Sequence, residues 1–345
     1  MAVWARPLTS QAPSGFILVS SAPGVELYRM DYPGGSPDYV QVVNLNQGAH
    51  VKLLHGDVSE SRPGQGVYGG DDPRLLSQKL IQYWTGTSSQ DEGAFCVFNG
   101  QFFFMPEYPT RLPFPLKVDG VIVSDGYGIN DHVGEKLILE LWSDRADIRE
   151  LTKETLYSSS APNIVAGLTE DARKSPTKYV PRTFMGIDDR SGDGEFDTVL
   201  VFNTKSARQQ DAAQVLREFG ADKVMMLDGG GSTQLICQGN GYVNSERLIP
   251  QAIAVIAGDG STNSADVVQK VDFVQPEESV KQLVNDNNAG LAIFGFDGAA
   301  QTQFQEPAKA GVYIGDSVWV LFFVIPVALI MVVAISRIQR NEEYY

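Results

Sequence analysis

Along this chain, short apolar runs bounded by turn residues outnumber apolar stripes at helical spacing. Residues 40–45, 94–98, 136–142, 198–203, 223–227 and 252–257 are apolar, rich in β-branched or aromatic side chains, and predict strands. Residues 180–188 alternate, with Arg182, Phe184 and Gly186 on one face and Thr183, Met185 and Ile187 on the other. Two helices are predicted. The first starts with Asp72 as cap and Pro73 at its first position, with Leu75, Leu76, Leu80, Ile81 and Trp84 as its stripe. The second spans about 206–219, with Ala212, Val215, Leu216 and Phe219 inward and Gly220 as a left-handed stop. It lies between strands 198–203 and 223–227, which are therefore expected to run parallel.

The pattern changes after residue 258. Residues 259–316 are polar and small, with one short helix expected around 278–285, and read as a stalk. The run 318–335, VWVLFFVIPVALIMVVAI, opens at Val318, closes at Ile335 and contains no charge. At about 1.5 Å per residue it reaches about 27 Å, the thickness of a bilayer core. A transmembrane helix over 317–337 is expected, with the lipid bilayer as partner. Arg337 and Arg340 follow it, which places the tail 338–345 in the cytoplasm and the main domain outside. Residues 1–22 read as an extension, and their apolar run 16–19 is too short for a signal-peptide core. An upstream start, a tail-anchored cytosolic domain and another export route all stay open. The expectation is a single-pass membrane protein with a C-terminal anchor and an extracytoplasmic domain.

The fold class is thus α/β to α+β. One domain over 23–258 has a mixed, strand-rich sheet core and few helices. The composition changes this picture only at its margins. Lys and Arg number 27 against 42 Asp and Glu, a net charge of −15. That excludes a general nucleic-acid binder, which needs a basic surface. Cys96 and Cys237 have no metal spacing and read as two buried thiols or one disulfide. Nothing in the sequence fixes an oligomeric state.

The chemistry concentrates in three places. Asp228-Gly229-Gly230-Gly231-Ser232 follows an apolar strand. Three glycines are costly in backbone entropy, and such a turn can present N–H groups to an anion or simply turn a hairpin. Asn99-Gly100-Gln101-Phe102-Phe103 is a turn at another strand end. Arg182 and Thr183 sit in the alternating strand, and an arginine fork suits a phosphate. Asp189, Ser191, Asp193, Gly194 and Asp197 match the first part of a calcium loop, but Leu200 replaces its bidentate Glu. A solvated hairpin turn is the stronger reading, with calcium as the one cation to consider. His50, His55 and His132 lack ligand spacing, and Tyr127 is either a sugar-stacking or a turn aromatic.

These three stretches, in this order, resemble the phosphodiester glycosidase family. Its pattern is an Asn-Gly-Gly-Phe-Phe turn, an Arg-Thr-x-x-Gly strand and then Asn-Leu-Asp-Gly-Gly-Gly-Ser. Residues 115–126, 163–167 and 219–231 also look like family segments. Gln101 departs from the second glycine and Met226 from the asparagine. The resemblance implies hydrolysis of a sugar-1-phosphodiester at the anomeric carbon, releasing free sugar and a phosphomonoester. It implies a phosphorylated glycan as partner, and with the expected membrane anchor the expected context is surface polysaccharide processing. Asp228 would be the first carboxylate and Asp188 the second, since glycosyl transfer commonly uses a pair. Arg182 and the N–H groups of Gly229, Gly230, Gly231 and Ser232 would bind phosphate, with Arg182→Ala expected to raise KM. Asn99, Gly100 and Thr183 would complete the substrate contacts. A non-catalytic module that binds phosphorylated glycans, or a transferase on the same scaffold, are the alternatives.

Overall fold

The structure, a computed structural model, describes residues 12–88, 93–128 and 132–259. The stalk, apolar-run and tail expectations lie outside these residues, as does most of the N-terminal extension. No helix among the described residues is long and apolar enough to cross a membrane.

Strands β1 (Ile17–Ala22), β2 (Val25–Met30), β3 (Asp38–Asn44), β4 (His50–His55), β5 (Val58–Arg62) and β6 (Asp72–Leu75) precede helix α1 (Leu80–Ser88). Strands β7 (Ala94–Asn99), β8 (Leu116–Val118), β9 (Val121–Ser124), β10 (Lys136–Leu141) and β11 (Ala146–Glu150) lead to α2 (Lys153–Ser158). Then come β12 (Asn163–Leu168), β13 (Val180–Asp188), β14 (Thr198–Ala207) and α3 (Gln209–Glu218). The last are β15 (Lys223–Met226), β16 (Leu235–Cys237), β17 (Asn240–Val243) and β18 (Gln251–Ile256).

The large sheet has the order β1-β2-β3-β14-β13-β15-β12-β10-β11, with the β8–β9 hairpin joined to β12. A second sheet has the order β17-β16-β7-β18-β4. The two sheets pack face to face over Phe98, Met185, Ile187, Val201, Leu235 and Ile253. On the outer face of the large sheet, Phe184, Leu200 and Phe202 meet Ala212 and Leu216 of α3 and Leu156 of α2. On the outer face of the small sheet, Val97 and Ala254 meet Leu80 and Tyr83 of α1. The layers run helix, sheet, sheet, helix. Each central strand is buried on both faces, which is why β7, β14 and β18 read as continuous apolar runs and not as alternations.

Four expectations change. Every ladder among the described residues is antiparallel, so the sheet is not mixed and the class is α+β. Strands β14 and β15 do run in the same direction, but β13 lies between them and pairs antiparallel with both. Residues 72–75 are strand, not helix. Arg62 and Asp72 pair across the β5–β6 ladder, and Leu75 exchanges backbone bonds with Thr110 at 2.8 and 2.9 Å. These contacts between distant residues override the local Asp-Pro signal, and the helix starts only at Leu80. The second helix begins at Gln209, because β14 continues to Ala207. Gly220 holds the expected positive φ, +110°. Residues 17–22, within the predicted extension, form edge strand β1 against β2.

Cys96 and Cys237 oppose one another in the β7–β16 ladder and form a buried disulfide, not two thiols. The hairpin 189–197 is a turn held by its own carboxylates. Asp189 accepts from the N–H groups of Gly192, Asp193 and Gly194, and Asp197 from those of Arg190 and Ser191. Among the described residues no group of three His, Cys, Asp or Glu side chains is placed to hold a metal ion.

Candidate active site

The two glycine turns meet because β7 and β15 end side by side in facing sheets. Asn99, the last residue of β7, is 1% exposed and joins them. Its Nδ2 donates to the Asp228 carbonyl at 2.7 Å and to the Gly100 carbonyl at 3.4 Å. Its Oδ1 accepts from Thr183 Oγ1 at 2.7 Å and from the Gln234 N–H at 3.1 Å. Thr183 Oγ1 in turn accepts from Asn203 Nδ2 at 3.2 Å. The Asp228 N–H donates to the Gly100 carbonyl at 3.2 Å, and the Leu227 N–H to the Thr183 carbonyl at 2.9 Å. Asn99 and Thr183 therefore brace the two turns, with their side-chain polar atoms bonded to protein partners.

Asp228 lies two residues past β15, at the mouth of this framework, and is half-buried. Burial pushes its carboxyl up from 3.8 to about 6, against the opposing pull of the Ser232 hydroxyl, Arg247, Lys174 and the Gly229 N–H. The Gly229 N–H donates to Asp228 Oδ1 at 2.9 Å. Ser232 is buried. Its hydroxyl lies near enough to the Asp228 carboxyl to lower its proton affinity and accepts from Arg247 Nη1 at 3.1 Å. On another side, Lys174 Nζ stands 5.4 Å from the centre of the Phe102 ring. The site is thus one carboxyl of raised proton affinity with two cations about it.

The three glycines have separate reasons. A side chain on Gly229 would press on the Pro181 carbonyl oxygen at 2.9 Å. Gly230 has a left-handed backbone, φ +57°. A side chain on Gly231 would meet the Arg247 guanidinium at 2.6 to 3.0 Å. Gly100 gives its side-chain space to the Gln251 amide, whose Oε1 accepts from the Gln101 N–H at 2.8 Å. Gln101 is buried, with Nε2 donating to the Pro115 carbonyl at 3.2 Å, so it packs behind the turn.

Two predicted members fall out of the site. Arg182 is buried and its donors are committed. Nε reaches the Ala207 carbonyl, Nη1 those of Lys174 and Met226 Sδ, and Nη2 the carbonyls of Ser175 and Lys178, at 2.7 to 3.9 Å. It has no carboxylate partner among the described residues, and burial pulls its pKa down to about 10. It pins the loop that carries Lys174, and its fork is unavailable to an anion. Asp188 sits at the other end of β13, opposite Thr198. That is five residues from Thr183, about 17 Å at about 3.4 Å per residue. Its Oδ2 accepts from Arg190 Nε at 3.0 Å. It is no second carboxylate for Asp228, which lies beyond the opposite end of the β13–β15 ladder.

The sequence reading missed Arg247 and Lys174. Both lie on loops, and only their approach to Asp228 marks them. Of the remaining candidates, Tyr127 lies under the Arg111 guanidinium at 4.5 Å. His132 pairs with Glu135 at 2.9 Å. A cavity of about 380 Å³ lies away from the site, against α3, lined by Phe16, Tyr32, Asp211 and Glu218 among others.

Residues 92–256 match the family model described as phosphodiester glycosidase. The match spans Asn99, Arg182, Asp228 and Arg247, so the class indicated by the motifs and the class found by comparison agree. Among solved structures, the chain is similar to the zebrafish N-acetylglucosamine-1-phosphodiester alpha-N-acetylglucosaminidase catalytic domain auto-inhibited by its pro-peptide. Identity is 13%, with 68% of this chain and 84% of that chain covered, at a TM-score of 0.48. It is also similar to a hypothetical protein from Synechocystis, at 11% identity and a TM-score of 0.39, covering 68% of this chain and 62% of that one. No curated protein matches the chain.

Proposed function

We propose that this domain hydrolyses a sugar-1-phosphodiester, with Asp228 as its general base. The observation that carries the reading is Asp228 itself. Its carboxyl is raised by burial to a pKa of about 6 against the opposing charges of Arg247 and Lys174, inside the segment that matches the family. A group titrating there is ionised at neutral pH yet basic enough to take a proton from water. Water oxygen bonds to the anomeric carbon as the bond from that carbon to the phosphate oxygen breaks. The water proton passes to Asp228, and the electron pair leaves with the phosphomonoester. Phosphate is a good leaving group, so the chemistry does not require a second carboxylic acid, which agrees with the placement of Asp188.

The test is a panel of α-sugar-1-phosphodiesters with the full chain in mild detergent. Release of free sugar by the wild type, and its loss in Asp228→Asn, is expected. Absence of turnover across the panel, or equal turnover in both proteins, would sink the reading. Binding without turnover would make it a glycan-binding module, and sugar transfer to added alcohol a transferase.

The buried Cys96–Cys237 disulfide suits an oxidising compartment. It supports an extracytoplasmic domain; the charge-free run 318–335 is the reason to hold that domain at the membrane, where a surface polysaccharide would be its substrate. Protease accessibility of the domain on intact cells tests this, and complete protection would reject it.

A further inference from the structure

We infer that Arg247, seated in the space left by Gly231, is the residue that recognises the phosphate group, and that Arg182 is not. The inference rests on the hydrolase reading for its substrate but on separate observations for its residue.

Every other described arginine is either ion-paired with a carboxylate or, like Arg182, has its donors committed to buried acceptors. The pairs are Arg29–Asp31, Arg62–Glu60, Arg74–Glu107, Arg111–Asp72, Arg145–Asp144, Arg149–Glu140, Arg173–Glu135, Arg190–Asp188, Arg208–Asp211 and Arg217–Glu170. Arg247 donates one side-chain hydrogen bond, from Nη1 to Ser232 Oγ, and acts on Asp228 through its charge, while its Nε and Nη2 make no hydrogen bond among the described residues. In a chain with 42 acidic residues against 27 basic ones, a partly buried guanidinium with no carboxylate in direct ion-pair contact among the described residues does not reflect scarcity of partners. It is a cation kept for something else.

Its position is built. The Arg247 N–H donates to Ser245 Oγ at 3.2 Å, and Ser245 Oγ donates to the Gly231 carbonyl at 2.5 Å. Gln234 Nε2 donates to the Ser232 carbonyl at 3.3 Å and the Arg247 carbonyl at 3.1 Å. The loop is therefore fastened to the glycine turn on both sides of the arginine. The Nε–Cζ–Nη2 flank occupies the ground a side chain on residue 231 would need. Nε and Nη2 form one edge of the guanidinium, the edge that grips two oxygens of a phosphate at once.

The ligand class is thus a phosphate monoester or diester joined to a sugar, with selection against uncharged glycosides. The test compares wild type, Arg247→Ala and Gly231→Ala as full chains in detergent. Inorganic phosphate is titrated by calorimetry. The ratio of kcat/KM for a sugar phosphodiester to that for an uncharged nitrophenyl glycoside of the same sugar is then measured. Arg247→Ala should weaken phosphate binding, and lower that ratio, by about 10- to 100-fold, the worth of a charge-assisted pair. Gly231→Ala displaces only the tip of a flexible side chain, so it should keep the fold and shift both readouts the same way by less. Unchanged phosphate affinity in Arg247→Ala, or equal losses on both substrates, overturns the inference. Wild type that binds no phosphate overturns it too. Phosphate binding that needs Arg247 in a protein that hydrolyses nothing upholds the inference while rejecting the hydrolase reading.

Discussion

Replacing Asp228 with Asn should make the protein more stable and less active, and the gain should depend on pH. The folded carboxyl is pushed up to about 6 by burial, which outweighs the Ser232 hydroxyl, Arg247, Lys174 and the Gly229 N–H. In the unfolded chain it titrates near 3.8. Between those values the folded state holds a proton that the unfolded state has released. Stability therefore falls as pH rises through this window, and the whole penalty is present above it. At about 1.36 kcal/mol per pH unit the difference comes to about 3 kcal/mol. Asparagine keeps the shape of the protonated acid and never ionises. Asp228→Asn should thus exceed wild type by about 1 kcal/mol at about pH 4.5 and by about 3 kcal/mol at about pH 7.5. Urea unfolding of the oxidised protein at both pH values measures this, with turnover followed in parallel. A stability difference that does not grow with pH, or a less stable variant at the higher pH, would refute the reasoning. It would mean that the turn is built around the ionised carboxylate.

Three further outcomes are expected. If Asp228 is the base, kcat/KM rises with pH through about 6 and levels off; a falling limb there would make it an acid instead. Arg182→Ala should destabilise the fold by about 3 to 5 kcal/mol, because it strands the carbonyls of residues 174, 175, 178 and 207, with no selective rise in KM in whatever protein still folds. Removing the disulfide as Cys96→Ala with Cys237→Ala should cost about 5 kcal/mol by loop closure over a separation of 141 residues, read as a lowered urea midpoint.

Which turns carry the site was legible in the sequence, and which side chains do the work was not. The turns were legible because glycine and Asn-Gly clusters at strand ends are costly and therefore informative. The roles were hidden because they depend on partners far away in sequence. Asn99 reads as a ligand for sugar, but its amide answers a carbonyl 129 residues on and a hydroxyl 84 residues on. Arg182 reads as an anion fork because strand alternation says only which face it takes. The face is covered by the loop 174–178, so desolvation and five acceptors turn a recognition group into a brace. Asp188 was joined to Asp228 by its place at a strand end, and the antiparallel register of β13 and β15 sends the two to opposite ends of the sheet.

Arg247 shows the same limit from the other side. An arginine in a polar loop is unremarkable until the empty side of Gly231 is seen beneath it. The glycine run is then three constraints that happen to share a letter. At 229 a rigid backbone oxygen excludes a side chain; at 230 the backbone is left-handed; at 231 a cation needs the room. Only the first two are demands of the turn itself. The third is a demand of the ligand, because a turn alone would accept a side chain there once the flexible arginine moved aside. A glycine that the fold does not need, beneath a cation with no carboxylate in direct ion-pair contact among the described residues, is the place where structure and chemistry can be separated by a single methyl group.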